Sequence, residues 1–217
     1  MPEACQGMFI PFCYDRGMPK ISDEHRAARQ AQILDAAWRC FYRQGVQATT
    51  MEQIIAESGL SASAMYRYFA GKDDIIVAAI SSSLSGLAQL LEPILEAPGS
   101  AGLPLLIRQV TEAIEAFAAR PGYRLTTIAL HGWSEAQRND RLRGLMRDFY
   151  AAFRERLADR VRRAQAQGKV AAGAAPDDVA QLLLSVIAGY VVQSAIVHDA
   201  DPAAHARGLE AIAAPKH

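Results

Sequence analysis

A chain of 217 residues that is 51% hydrophobic can build one large domain or two small ones, which excludes disorder for its bulk. Its 23 basic and 23 acidic residues cancel, so no global field draws it toward nucleic acid, and any phosphate contact must come from a few cations on one face. Three cysteines without C-x-x-C spacing argue against both a disulfide scaffold and a zinc site and fit a reducing cytosol.

In chain order, residues 1 to 17 hold an apolar patch at Met8 to Phe12 that Pro11 interrupts, with no basic segment ahead of it. A signal peptide is therefore not expected. No later run approaches the ~20 apolar residues that cross a bilayer, so the reading is a cytoplasmic protein without a membrane partner. Residues 1–19 read as a disordered tail or a misassigned start, or else as a tail with contacts of its own. From about Ala27 to Gln44 a helix presents Ile33, Ala36, Ala37, Cys40 and Phe41 at the i, i+3, i+4 rhythm, with Cys40 as a small core residue. Arg16, Lys20, Arg26 and Arg29 precede or open it, and can lie along a DNA backbone or belong to a solvated tail.

Thr49 to Lys72, TTMEQIIAESGLSASAMYRYFAGK, reads as two short helices across a tight turn. Thr50 and Gln53 have the spacing of a capping box, and Met51, Ile54, Ile55 and Ser58 then fall on one face. Gly59 ends that helix, because glycine accepts positive φ at little cost. Ser61 is placed to cap a second helix, Ala62 to Phe69, on which Met65 and Phe69 face inward. Ala62, Ser63, Ala64, Arg67, Tyr66 and Tyr68 remain on or near its outer face. Small residues there let a backbone approach base edges in a major groove, as helix-turn-helix readers do.

The run G-L-S-A-S-A-M-Y-R-Y-F-A-G-K, after a helix ending in Gln44-Gly45-Val46 and then Thr49-Thr50, resembles the DNA-binding signature of the TetR family of bacterial regulators. The resemblance implies that Ala62, Ser63 and Ala64 meet base edges, that Tyr66, Tyr68 and Lys72 touch phosphates, and that Thr50 meets a phosphate as well. The DNA-binding set expected is thus Thr50, Ser61, Ala62, Ser63, Ala64, Tyr66, Arg67, Tyr68 and Lys72. Ala62 and Ala64 depart from a hydrogen-bonding reader, so specificity must lean on Ser63, Arg67, thymine methyl contacts or DNA shape. Met18, followed by Pro-Lys-Ile-Ser-Asp-Glu-His-Arg, looks more like a start for this family than Met1 does.

A fourth helix, about Lys72 to Leu91, is expected to be perturbed or ended by Pro93 and to carry signals out of the reader. The remaining helices are expected at about Leu103 to Ala119, Tyr123 to Asn139, Arg141 to Gln167, Pro176 to His198 and Pro202 to Ala213, with no alternating strand pattern. The fold class is all-α: a three-helix DNA-binding domain over 20–71 and a helical ligand-binding and dimerisation domain over 72–217. Leu130-His131-Gly132-Trp133-Ser134-Glu135-Ala136, Gln167-Gly168-Lys169-Val170 and the leucine-rich helix ahead of Gly189-Tyr190 resemble the effector domain of the TetR subgroup that includes choline-sensing repressors. Phe117, Tyr123, Thr127, His131, Phe149 and Phe153 are candidates to line a ligand cavity, as aromatic walls with a few polar groups. The family resemblance implies that the helix carrying Leu182, Leu183, Val186, Ile187, Tyr190 and Ser194 and the last helix pack against their copies in a four-helix dimer interface, although a helix buried in the monomer accounts for the same stripe.

The leading expectation is a homodimeric transcriptional repressor released from a palindromic DNA operator by a small apolar or amphipathic molecule. An activator or a ligand-independent regulator of the same fold is the alternative. An all-α enzyme is a distant third, since no H-E-x-x-H, G-x-S-x-G, P-loop or G-x-G-x-x-G occurs and the histidines have no ligand spacing. No catalytic residue, metal ligand or cofactor is assigned.

Overall fold

The computed structural model describes residues 23–97 and 102–213, so the expectations for residues 1–19, Lys20 and most of the loop before Gly102 lie outside the described residues. Those described form nine helices and one short hairpin: α1 (Asp23–Gln44), α2 (Met51–Ser58), α3 (Ala62–Tyr66), α4 (Lys72–Glu96), α5 (Leu103–Ala118), β1 (Ala119–Arg120), β2 (Tyr123–Arg124), α6 (Leu125–Ala136), α7 (Asp140–Ala166), α8 (Pro176–Ile196) and α9 (Pro202–Ala213).

Local signals set several of the helix boundaries. The capping box at α2 is complete: Thr50 Oγ1 accepts from the Gln53 N–H (3.3 Å) and Gln53 Oε1 from the Thr50 N–H (2.8 Å). Gly59 follows the helix at φ 67°, where a side chain would be strained. Asn139 Oδ1 caps α7 by accepting from the Leu142 N–H (3.1 Å).

Tertiary contacts override the other boundaries. α3 stops at Tyr66 rather than Phe69, because the Arg67 and Tyr68 N–H groups bond carbonyls only three residues back, Ala64 (3.3 Å) and Met65 (2.9 Å), which tightens the turn where Phe69 packs into the core. α4 runs through Pro93 to Glu96. Leu91 and Leu95 are buried, and Arg160 and Arg163 of α7 donate to the carbonyls of Ala97 and Leu95, so the ring's lost hydrogen bond does not end the helix. Tyr123 and Arg124, expected to open a helix, pair instead with Ala119 and Arg120 around Gly122, which sits at φ 86°. Strands of two residues are too short to leave an alternating pattern.

Two cores result. In the first, Ile33, Phe41, Ile54 and Met65 of α1–α3 are continuous with Ile76 and Ile80 of α4, Ile128 of α6 and Met146 of α7. The second joins Leu91 of α4 to Leu106 and Val110 of α5, Leu157 of α7, and Leu183 and Tyr190 of α8. α4 and α7 each belong to both. α4 and α8 are also long and apolar enough, by length and composition alone, to cross a membrane, contrary to the sequence expectation. α8 has an inward, apolar side and an outward, mixed one. Leu183, Ile187, Tyr190 and Ser194, expected to face a partner chain, are buried within this one, where the Tyr190 and Ser194 hydroxyls donate to Glu115 Oε2 (3.0 and 3.1 Å). The outward side is offset by one residue and carries Leu182, Ser185, Gly189, Gln193 and Ile196.

Candidate nucleic-acid interface and internal cavity

The outer face of α2 and α3 is polar and held by its own hydrogen bonds. Ser61 Oγ accepts from the Ala64 N–H (3.2 Å) and lies 3.1 Å from the Ser63 hydroxyl. Ala62, Ser63, Tyr66 and Arg67 are exposed, Ala64 and Tyr68 half-buried. The Arg67 guanidinium makes no hydrogen bond or ion pair among the described residues, so it stands ready for an anion. Thr50 is exposed; its oxygen accepts from Gln53, and its O–H donates to the Glu52 carboxylate, which the Glu52 backbone N–H and this bond hold below its usual range.

Behind this face Glu57 of α2 binds two arginines of α1, Arg39 (3.0 Å) and Arg43 (2.5 Å). The Arg43 guanidinium holds the Glu57 carboxyl below its usual range. Two cations of the reader are thus spent internally. Lys72 is occupied as well: its ammonium donates to the carbonyls of Thr49 (2.9 Å), Gln47 (3.0 Å) and Val46 (3.3 Å). An ammonium has three N–H donors, so all are committed to the turn between α1 and α2. What Lys72 can offer a phosphate is its charge.

A cavity of about 140 Å³ lies between α1, α4, α5, α6, α7 and α8. Of the six residues expected to line it, Phe117, Phe149 and Phe153 do, and the two Phe rings of α7 also wall a neighbouring cleft of about 180 Å³. A Cβ on Gly86 would come within 3.2 Å of the Phe117 ring, so glycine lets that ring lie against α4. Tyr123, Thr127 and His131 are not among the lining residues. The Tyr123 hydroxyl donates to Asp35 Oδ1 (2.9 Å), tying the hairpin to α1, and burial together with that bond pushes its pKa up to about 12. His131 sits beside Gly45, at the turn that ends α1. Their one-turn spacing put these residues together in sequence, but the hairpin takes Tyr123 off the helix.

The residues missed by sequence reasoning complete the wall. Trp133 Nε1 donates to the Tyr150 hydroxyl (2.8 Å), and both side chains face the cavity. Thr126, only 1% exposed, lines it with an Oγ1 that has no hydrogen-bond partner. Trp38 of α1 lines it too while belonging to the reader's core. Its signal was a large aromatic one position off the Ile33–Phe41 stripe, the mark of a helix buried on two sides. Among the described residues no group of three His, Cys, Asp or Glu could hold a metal ion.

The sequence model for bacterial regulatory proteins of the tetR family matches residues 33–79, and that for the C-terminal part of BetI-type transcriptional repressors matches residues 106–214. An uncharacterized HTH-type transcriptional regulator of Bacillus subtilis, YfiR, is 27% identical over 85% of this chain and 88% of its own. The HTH-type transcriptional regulator BetI of Rhizobium meliloti is 30% identical over 64% of this chain and 66% of its own. A transcriptional regulator from Saccharomonospora viridis solved in complex with choline superposes with a TM-score of 0.70 at 21% identity, over 86% of this chain and 95% of that one.

Proposed function

Because this chain belongs to the TetR family of bacterial transcriptional regulators, with a BetI-type C-terminal part, we propose that it is a homodimeric repressor that a small molecule, filling the α1–α8 cavity, releases from a palindromic operator in the cytoplasm. The observation that carries this reading is Trp38. One side chain belongs at once to the core that supports α2 and α3 and to the wall of the cavity. A ligand that presses on Trp38 and on Ile80 of α4 alters the support of the reader directly. It shifts the population toward a dimer whose two readers no longer match successive major grooves, by as much as its affinity differs between the two states.

In this reading Ser63 and Arg67 read base edges or groove shape, Ala62 and Ala64 allow close approach, and Thr50, Tyr66 and Tyr68 position the phosphates. Lys72 braces the turn and adds charge. The dimer forms through the outward side of α8 with α9, where Leu182 is 57%, Ile196 61% and Ile212 84% exposed, and where a Cβ on Gly189 would meet nothing within 4 Å. Of the interface residues expected from sequence, Leu182 lies on this outward side, whereas Val186 is partly buried against the second core. Two readers on a rigid dimer cover half-sites about one helical turn apart, and the tether raises the local concentration for the second contact. The test is a mobility-shift titration on the DNA flanking the protein's own gene, with the full chain and with Leu182→Asp. The full chain should bind there specifically, and the variant should be a folded monomer that has lost specific affinity. A helical monomer that binds as tightly as the unmodified protein would contradict the reading.

A further inference from the structure

The chemistry of the cavity restricts what can fill it, on the reading that the cavity is the effector site. No Asp, Glu, Lys, Arg or His is among the described residues that line it. Glu92 and Arg156 line the neighbouring cleft and pair with each other (3.1 Å), and the Arg120 guanidinium lies over the Phe117 ring, 4.6 Å from its centre. Its polar features are few, and two of them lack something to bind. Thr126 Oγ1 is buried without a partner, and Tyr150 accepts from Trp133 while its own O–H donates to no described group. A buried hydroxyl left unpaired costs stability and persists where something else completes it. The volume of about 140 Å³ is close to the roughly 150 Å³ of an apolar cavity that takes one benzene ring.

We infer that the ligand is an uncharged molecule the size of a single aromatic ring, carrying one hydroxyl or carbonyl oxygen that the Thr126 and Tyr150 hydroxyls bind. A quaternary ammonium fits worse despite the aromatic walls. Cation–π attraction recovers only part of the hydration a cation loses, and no carboxylate supplies the remainder. The structural neighbour's choline therefore does not transfer to this chain.

The chain's two tryptophans, Trp38 and Trp133, both line the cavity, so intrinsic fluorescence reports its occupancy without a label. The experiment titrates the full chain with four probes, by fluorescence and calorimetry: choline, its uncharged isostere 3,3-dimethylbutan-1-ol, benzyl alcohol and toluene. The isostere should bind at least about tenfold more tightly than choline, which differs from it only in the charged centre. Thr126→Val should weaken benzyl alcohol by about three- to tenfold, leave toluene unchanged and not lower the melting temperature, since it removes an unpaired hydroxyl. Thr126→Ser should restore the alcohol's affinity, which separates the hydroxyl's role from a packing defect. Choline binding as tightly as the isostere, or no uncharged probe binding at millimolar concentration, would overturn the inference. Uncharged probes that bind in this pattern but leave DNA affinity unaltered would support the ligand class and remove the release mechanism instead.

Discussion

The outer face of α2 and α3 and the cavity behind α1 are opposite solutions to the placement of polar groups. On the face the caps are closed by neighbours three residues away, and the supporting cations Arg39, Arg43 and Lys72 are already paired. In the cavity a hydroxyl lacks a partner and about 140 Å³ is unfilled. The difference assigns the roles. The face is finished before DNA arrives and can serve as a rigid template, whereas the cavity is completed by what enters it.

The strongest way to break that contrast is a charge in the cavity wall. Ile187→Asp buries an unpaired carboxylate among six helices and should cost more than about 4 kcal/mol, seen as lost cooperative unfolding by circular dichroism. Leu182→Asp, one turn away on the outward side, should leave that transition intact. Equal effects at the two positions would mean that α8 is oriented differently. On the reader, Thr50→Ala opens the capping box and should cost about 1 kcal/mol by denaturant titration, far less than the cavity change.

Smaller still is the contribution of the Glu57 pair, which acid should expose. The folded pKa of Glu57 is depressed by Arg43, so the pair stabilises at neutral pH, above the unfolded value near about 4.3, and this contribution is lost as pH falls through the folded value. Solvent screening at a side chain 25% exposed keeps it under about 1 kcal/mol. Stability measured from pH 7 downward should fall more in the unmodified chain than in Glu57→Gln, and parallel curves would show the pair to be idle. Arg67→Ala should leave stability within about 0.5 kcal/mol and act only on DNA, reducing the salt dependence of binding by about one unit if it meets a phosphate, or relaxing sequence preference if it meets a base.

The same contrast decides what could be read in advance. The reader's caps, its turn at Gly59 and its inward residues Ile54 and Met65 were legible because each depends on residues within one or two turns. The cavity was half legible. Phe117, Phe149 and Phe153 announced themselves as aromatics at helical spacing, but Trp38, Thr126 and Tyr150 meet them only through packing among six helices, which no local pattern records. His131 and Thr127 were misplaced for the same reason. α8 illustrates the limit most plainly: its apolar stripe was seen, yet whether Leu183 or Leu182 faces inward turns on one residue of helix rotation, and that is set by α5, α6 and α7.

The central claim is that cavity and reader are coupled through Trp38, and coupling is reciprocal: a ligand that weakens DNA binding must itself be weakened by DNA to the same degree. The most direct measurement is therefore the affinity of an uncharged probe such as benzyl alcohol, followed by calorimetry with and without saturating operator DNA, beside the DNA affinity with and without saturating probe. The account predicts that the two ratios are equal and exceed about fivefold, and that Trp38→Phe, which keeps an aromatic wall but changes the contact, reduces both together. A probe that binds with one affinity whether or not DNA is present would contradict it.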